Sequence, residues 1–219
     1  MHDSDDVIPE GCTAERADAA RNRARLLEAA AHLVAEQGAE SVTMQAVAEA
    51  AGVGKGTLFR RFGDRDGLLL ALLGEAEAVF QEAYTSGPPP LGPGAPARDR
   101  LVAFGSALIA RTGADADLGA ALGRQVMYQR RHGADTGRAF HRHVSTLLRE
   151  TGTDGDHDLL AHALLAFVGF ETADYLRRER QVPTARLQAT WADLVHRVTA
   201  RAPTDGSPAG CSGPRGRRR

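Results

Sequence analysis

Between Val42 and Leu73 the chain reads VTMQAVAEAAGVGKGTLFRRFGDRDGLLLALL, and no other stretch limits the possible folds so sharply. Thr43 is placed to cap a short helix running through Val47 to Ala51, because a hydroxyl there can accept from the unpaired N–H groups of a first turn. Gly52-Val53-Gly54 makes a tight turn, and Lys55 to Phe62 is a further short helix whose Leu58 and Phe62, four apart, share a face. Gly63-Asp64-Arg65-Asp66 is a second break, with Asp66 expected to cap a longer helix carrying Leu68, Leu69, Leu72, Leu73, Val79 and Phe80. Helix, three-residue glycine-containing turn, helix is the layout of a helix-turn-helix unit. The second helix of such a unit enters the major groove of DNA by its N-terminal end. Here that end offers Lys55, Gly56, Thr57, Arg60 and Arg61.

Charge supports this reading only locally. The chain of 219 residues has a net charge of −1, so no global basic signature is present. From Arg16 to Arg65, Arg16, Arg21, Arg23, Arg25, Lys55, Arg60, Arg61 and Arg65 outnumber Asp18, Glu28, Glu36, Glu40, Glu49 and Asp64 by two. Basic groups gather at the start of the first helix and on the third, as phosphate anchoring requires. Lys55 is the single lysine of the chain.

The rest of the sequence is helical in pattern. It holds 39 alanines and 23 leucines, the residues with the least helix-forming cost, and no stretch alternates with period two. An acidic arm (residues 1–18) is expected to be disordered, followed by a helix from Ala19 with Leu26, Ala30, Leu33 and Val34 inward and Gly38 as its stop. Residues 85–97 hold five of the ten prolines and form a non-helical connection. Beyond it, helices are expected at about 98–112, 115–131, 136–151, 157–181 and 184–200, and the Gly/Pro/Ser-rich residues 202–219 form a disordered basic tail. Cys12 and Cys211 lie in polar stretches at opposite ends, which favours neither a disulfide nor a metal cluster. The acid-rich beginning does not resemble a signal peptide, and the longest apolar run near the middle, Leu68 to Leu73, is far short of a membrane span. A soluble cytoplasmic protein with no membrane partner is expected.

The expected helix at 157–181 is apolar on two sides, with Leu160, Ala163, Leu164, Phe167 and Val168 on one and Leu159, Ala166, Gly169, Phe170 and Ala173 on the other. Such a helix needs partners on both sides: its own core on one and, on the other, a second subunit, the alternative being a central helix wrapped by its own domain. A final stripe of Leu187, Trp191, Leu194 and Val198 is placed to complete that interface.

The segments RARLLEAAAHLVAEQG, the helix-turn-helix and TLFRRFGDRDGLLLALL, together covering roughly residues 19–73, resemble the N-terminal DNA-binding domain of the tetracycline-repressor (TetR/AcrR-type) family of transcriptional regulators. The resemblance implies a helical homodimer bound to double-stranded operator DNA, with a divergent ligand-binding domain behind it. It further implies that Thr43, Lys55, Thr57, Phe59, Arg61 and Arg65 occupy positions that touch the operator. Two departures stand out: Phe59 replaces the usual tyrosine, losing a hydroxyl, and Gly54 replaces a common serine at the helix N-cap.

Other constellations in the sequence compete with it. Gly52-Val53-Gly54-Lys55-Gly56-Thr57 is similar to a nucleotide-binding loop, but Glu49 stands where that loop needs glycine and the preceding stretch is helical, not a strand. His141 and His143 point about 200° apart on a helix and cannot chelate one ion. His157 and His162, five apart, are poorly spaced as well, and no zinc-type spacing appears. No metal and no cofactor are expected. Phe104, Leu108, Met127, Tyr128, Phe140, Phe167 and Glu171 are the candidate lining of a ligand cavity, with Glu171 as its carboxylate.

These readings converge on an all-α chain. It comprises an N-terminal three-helix helix-turn-helix domain at 19–66, and a C-terminal helical ligand-binding and dimerisation domain at 67–201. The expected function is a ligand-responsive DNA-binding transcriptional regulator, most simply a repressor released by a hydrophobic small-molecule effector, and not an enzyme. The alternative is a helical enzyme that binds a nucleotide or another small molecule.

Overall fold

The computed structural model describes residues 10–123, 126, 127 and 135–200. Every regular element among them is helical. The first, α1 (Glu10–Gln37), starts well before Ala19, so the expected disordered arm is corrected for residues 10–18. The cause is local: the stretch is rich in alanine (Ala14, Ala17, Ala19, Ala20), the residue with the least helix-forming cost. Residues 1–9 and the tail beyond 200 lie outside the described residues.

A 3₁₀ turn (Ala39–Ser41) leads to α2 (Met44–Ala50), α3 (Lys55–Phe62) and α4 (Arg65–Thr85). The Thr43 side chain caps α2 as expected, accepting from the Ala46 N–H at 3.2 Å. For α4 the cap is Asp64, which accepts from the Gly67 N–H at 2.8 Å, while Asp66 lies inside the first turn. The turns between these helices depend on Gly52 (φ 65°) and Gly63 (φ 78°), a left-handed backbone region that only glycine adopts cheaply.

After the proline-rich connection come α5 (Ala97–Ala114), α6 (Ala116–Leu122), α7 (Asp135–Glu150), α8 (His157–Phe167), α9 (Phe170–Arg178) and α10 (Thr184–Val198). Two long helices expected from the pattern are therefore broken. That at 115–131 stops at Gly123 (φ 82°), and that at 157–181 divides at Val168 and Gly169. Only the first break rests on a backbone conformation that favours glycine; Gly169 is in ordinary extended geometry (φ −67°), and the apolar periodicity of the sequence runs through both breaks. His157–Arg178 is long and apolar enough for a membrane span by composition, at mean hydropathy 1.3, but it is two helices packed into the bundle.

Two apolar cores share α4. The first gathers Leu26, Leu27, Ala30, Val42, Val47, Leu58, Leu68, Leu69, Leu72 and Leu73, and it also takes in Leu118 and Leu122 of α6. The second gathers Phe80 and Tyr84 from the far half of α4 with Leu101, Phe104, Ile109, Val144, Leu147, Leu148, Leu164, Trp191 and Val195. The expected boundary after residue 66 thus falls before a stretch, Leu68–Leu73, that completes the first core. Fully burying one such leucine contributes about 1.5–3 kcal/mol, so α4 is held firmly at both ends.

The final helix is spent inside the protomer. Leu187, Trp191 and Val195 of α10 are buried against α5, and the Trp191 Nε1–H donates to the Leu101 carbonyl at 2.9 Å. A Cβ at Gly105 would come within 1.8 Å of the Trp191 ring. The expectation that the Leu187–Val198 stripe faces a second subunit is corrected accordingly.

Candidate functional site

The helix-turn-helix presents one compact exposed surface. Leu58 is fully buried and pins α3 to the core, so Lys55, Gly56, Phe59 and Arg60 share the outward face. Phe59 is 40% exposed, an unusual state for phenylalanine, and the Lys55 ammonium stands 5.6 Å from its ring centroid. A Cβ at Gly56 would meet nothing, so the chain's own packing does not demand glycine there. Close approach of an external backbone would. Arg60 makes no hydrogen bond or ion pair among the described residues, and its donors face solvent. Thr57, half-buried, lies in the same first turn, and Thr43 is exposed at the start of α2 with its hydroxyl committed to the cap.

The remaining arginines do something else. Arg61 donates to the Ala19 carbonyl of α1 at 2.7 Å, tying α3 to the first helix. Arg65 donates to the carbonyls of Ala39 at 2.8 Å and Val42 at 3.1 Å, so it braces the 3₁₀ turn against α4. The expected basic cluster at the start of α1 is also internally engaged. Arg21 pairs with Asp18, Arg25 donates to the Ala51 carbonyl, and Arg23 pairs with Glu75 while its guanidinium covers the Phe62 ring. The exposed cationic surface is therefore narrower than the count of basic residues suggests. The glycine-rich turn follows α2, a helix, and so lacks the strand that a nucleotide-binding loop needs.

A cavity of about 770 Å³ lies between α4, α5, α7, α8 and α9, within the ~300–1,000 Å³ range of small-molecule sites. Leu108, Met127 and Phe140 line it, together with Leu73, Leu165 and Phe170. Three expected residues do not. Phe104 is fully buried in an aromatic cluster with Phe80, Tyr84 and Phe140, Phe167 packs on the second core, and Glu171 stands in the first turn of α9 outside the lining. Of the three only Glu171 follows the break at Val168–Gly169, in α9; Phe167 ends α8 and Phe104 belongs to α5. Tyr128 lies outside the described residues.

Of the cavity's charged groups, Arg111 and Asp115 are one helical turn apart, and Glu77 is brought to them from another helix. Arg111 of α5 lies 3.1 Å from the Asp115 carboxylate and 4.0 Å from that of Glu77 on α4, and Thr136 of α7 donates to Glu77 at 3.0 Å. All three ionic side chains are less than a fifth exposed. Burial pushes the Asp115 carboxyl above its usual range, with Glu77 adding and Arg111 opposing. Across the cavity, His141, Asp158 and His162 form a second polar group. His141 and His143 do point apart: His143 instead packs on the Tyr84 and Phe104 rings at 4.5 and 5.0 Å.

Comparison with known proteins agrees with this architecture. Residues 26–72 match the profile of bacterial regulatory proteins of the tetR family. An HTH-type transcriptional regulator of Staphylococcus aureus (strain USA300) is 43% identical over 53 residues, which span 24% of this chain but 29% of the relative. Among solved structures, the fatty acid degradation regulator FadR from Bacillus halodurans superposes with a TM-score of 0.59 at 17% identity, over 80% of this chain and 94% of that one. A TetR-like transcriptional regulator from Rhodococcus sp. RHA1 gives 0.56 at 23% identity, over 80% and 94%. NalD, the secondary repressor of an efflux pump in Pseudomonas aeruginosa, gives 0.51 at 17%, over 82% and 96%. These structural likenesses concern the fold.

Proposed function

We propose, from the premise that the N-terminal domain of this chain is that of the tetR family of bacterial regulatory proteins, that the protein is a DNA-binding transcriptional regulator, a repressor released from its operator by a small molecule. The observation that carries the reading is the pairing of one exposed, internally unexplained surface on α3 with a large cavity reached by the same α4. Lys55, Gly56, Thr57, Phe59 and Arg60 meet the operator, Lys55 and Arg60 as phosphate anchors and Phe59 through apolar contact with a thymine methyl. Thr43, Arg61 and Arg65 hold the reading head in place from within, and any contact they make to DNA is added to that task.

Two physical links connect cavity and reading head. Leu73 and Glu77 of α4 line the cavity, while Leu68 and Leu69 of the same helix are fully buried under α3. On the other side, Asp115 and Met127 line the cavity, and between them α6 inserts Leu118 and Leu122 into the first core. A ligand that separates Arg111 from Glu77 or Asp115 acts on both links at once. Because the lining mixes leucine, methionine and phenylalanine with paired charges, the effector is amphipathic, its polar end directed at the Glu77–Arg111–Asp115 group. The protein works as a cytoplasmic homodimer, because two reading heads about 34–36 Å apart are needed to enter successive major grooves.

The test is operator retardation with duplex DNA from upstream of the gene. K55A and R60A are expected to weaken binding while leaving the helical circular dichroism unchanged, each reducing the log–log salt slope by about one unit. Parent-like binding by both would remove α3 from the reading role.

A further inference from the structure

The histidines of this chain are unpromising in sequence, since every pair on a single helix is badly spaced for an ion. Packing changes that. His141 of α7 is brought against Asp158 and His162 of α8, the latter two one helical turn apart and therefore on one face. One ligand atom from each of the three lies within 4.8 Å of the others. The His141 Nε2 is 3.4 Å from the Asp158 carboxylate, and the two imidazole rings lie 4.1 Å apart at 33°. Val144, Leu147, Leu148, Ala161 and Leu164 are buried at the junction of the same two helices, so the backbones carrying the three ligands are fixed. All three side chains line the cavity.

We propose that His141, Asp158 and His162 form a divalent transition-metal site at the mouth of the cavity. Two imidazole nitrogens and one carboxylate oxygen are the donor set of zinc and its first-row neighbours; magnesium and calcium prefer all-oxygen shells, and copper(I) prefers sulfur. Metal–ligand bonds of about 2.0–2.2 Å place neighbouring donors roughly 3–3.5 Å apart, a closure that side-chain rotation supplies without moving either helix. Three protein ligands leave a zinc ion one or two open positions, the pattern of sites that bind a further ligand rather than only bracing a fold. The open side faces the cavity, so water or a donor atom of a cavity-bound molecule completes the shell. The site rests on the geometry of α7 and α8 and bears on the regulator reading only through the cavity they share.

The experiment is isothermal titration calorimetry of the full chain with zinc chloride alone, in a non-chelating buffer and without DNA. One zinc per chain is expected. H141A, D158N and H162A should each bind at least 10–100-fold more weakly, the range seen even for losses in the outer shell of a metal site. H157A and H196A, which alter histidines outside the cluster, should bind like the parent. Cobalt(II) should give a visible d–d absorption in the parent that H162Q abolishes while its circular dichroism is unchanged. Absence of zinc binding by the parent, or unchanged affinity in all three cluster variants, overturns the site. Failure here leaves operator binding untouched, and failure of K55A and R60A to alter operator binding leaves the metal site untouched.

Discussion

At the scale of single residues the sharpest consequence concerns His143. Burial among aromatic rings, with Arg100 adding repulsion, lowers its pKa from 6.5 to about 4. The unfolded chain then binds a proton between those values that the folded chain refuses, so stability rises with pH across that window and is lost as pH falls from 6.5 toward 4. Urea unfolding monitored from pH 7.5 down to 4.5 should show a midpoint that declines with acid. His143→Phe should flatten part of that decline, and a slope identical to the parent's would place the acid sensitivity elsewhere. The same residue shows what spacing can and cannot say. That His141 and His143 diverge follows from the helical turn alone, whereas the destinations of the two rings, one an aromatic cluster and the other a cavity wall, depend on α4, α5 and α8.

Elements were legible where turn chemistry marks them. Thr43, Gly52 and Gly63 delimit α2 and α3 because capping and positive φ are local demands with few residue solutions. The breaks at Gly123 and at Val168–Gly169 were not legible, because the apolar pattern continues through both and a glycine in a helical pattern is ordinarily tolerated. The break at Val168–Gly169 bears on Glu171, whose helix was read as continuous with Phe167; Glu77 was not expected in the cavity because it meets Arg111 from a different helix. The contact of α5 with α10 supplies a test at this scale. Gly105→Ala would drive a methyl group into Trp191, and overpacking of this kind costs typically ~1–3 kcal/mol. At about 2–4 °C per kcal/mol for a chain of this size, the melting temperature should drop by several degrees or more. A variant that melts with the parent would mean the indole is not seated against that backbone.

For the molecule as a whole, the proposed homodimer raises the question of which face meets a second copy. Phe170 is excluded: it is buried, and its ring sits where a Cβ on Gly119 would fall. Val79 and Tyr175 are exposed as well, but on the outward face of α8 Leu159, 63% exposed, is joined by the exposed Ala163 one turn further on. Leu159→Arg should convert a dimer to a monomer in sedimentation at micromolar concentration with its circular dichroism preserved. Phe170→Arg should instead unfold the cavity wall. If Leu159→Arg sediments like the parent, the copies meet elsewhere.

One further consequence follows from the exposed end of α3. Lys55 carries the only side-chain amine in the whole chain, and it stands in the middle of the surface assigned to DNA. Apart from the α-amine, amine-directed chemistry is thereby focused on a single reporting position. An acylating reagent should modify that side chain freely in the unbound protein and be blocked by operator duplex, giving a footprint with one band. Enzymatic acetylation of the same nitrogen would cancel the one ammonium on the reading surface, leaving the arginines, which such enzymes do not acetylate, to hold what affinity remained.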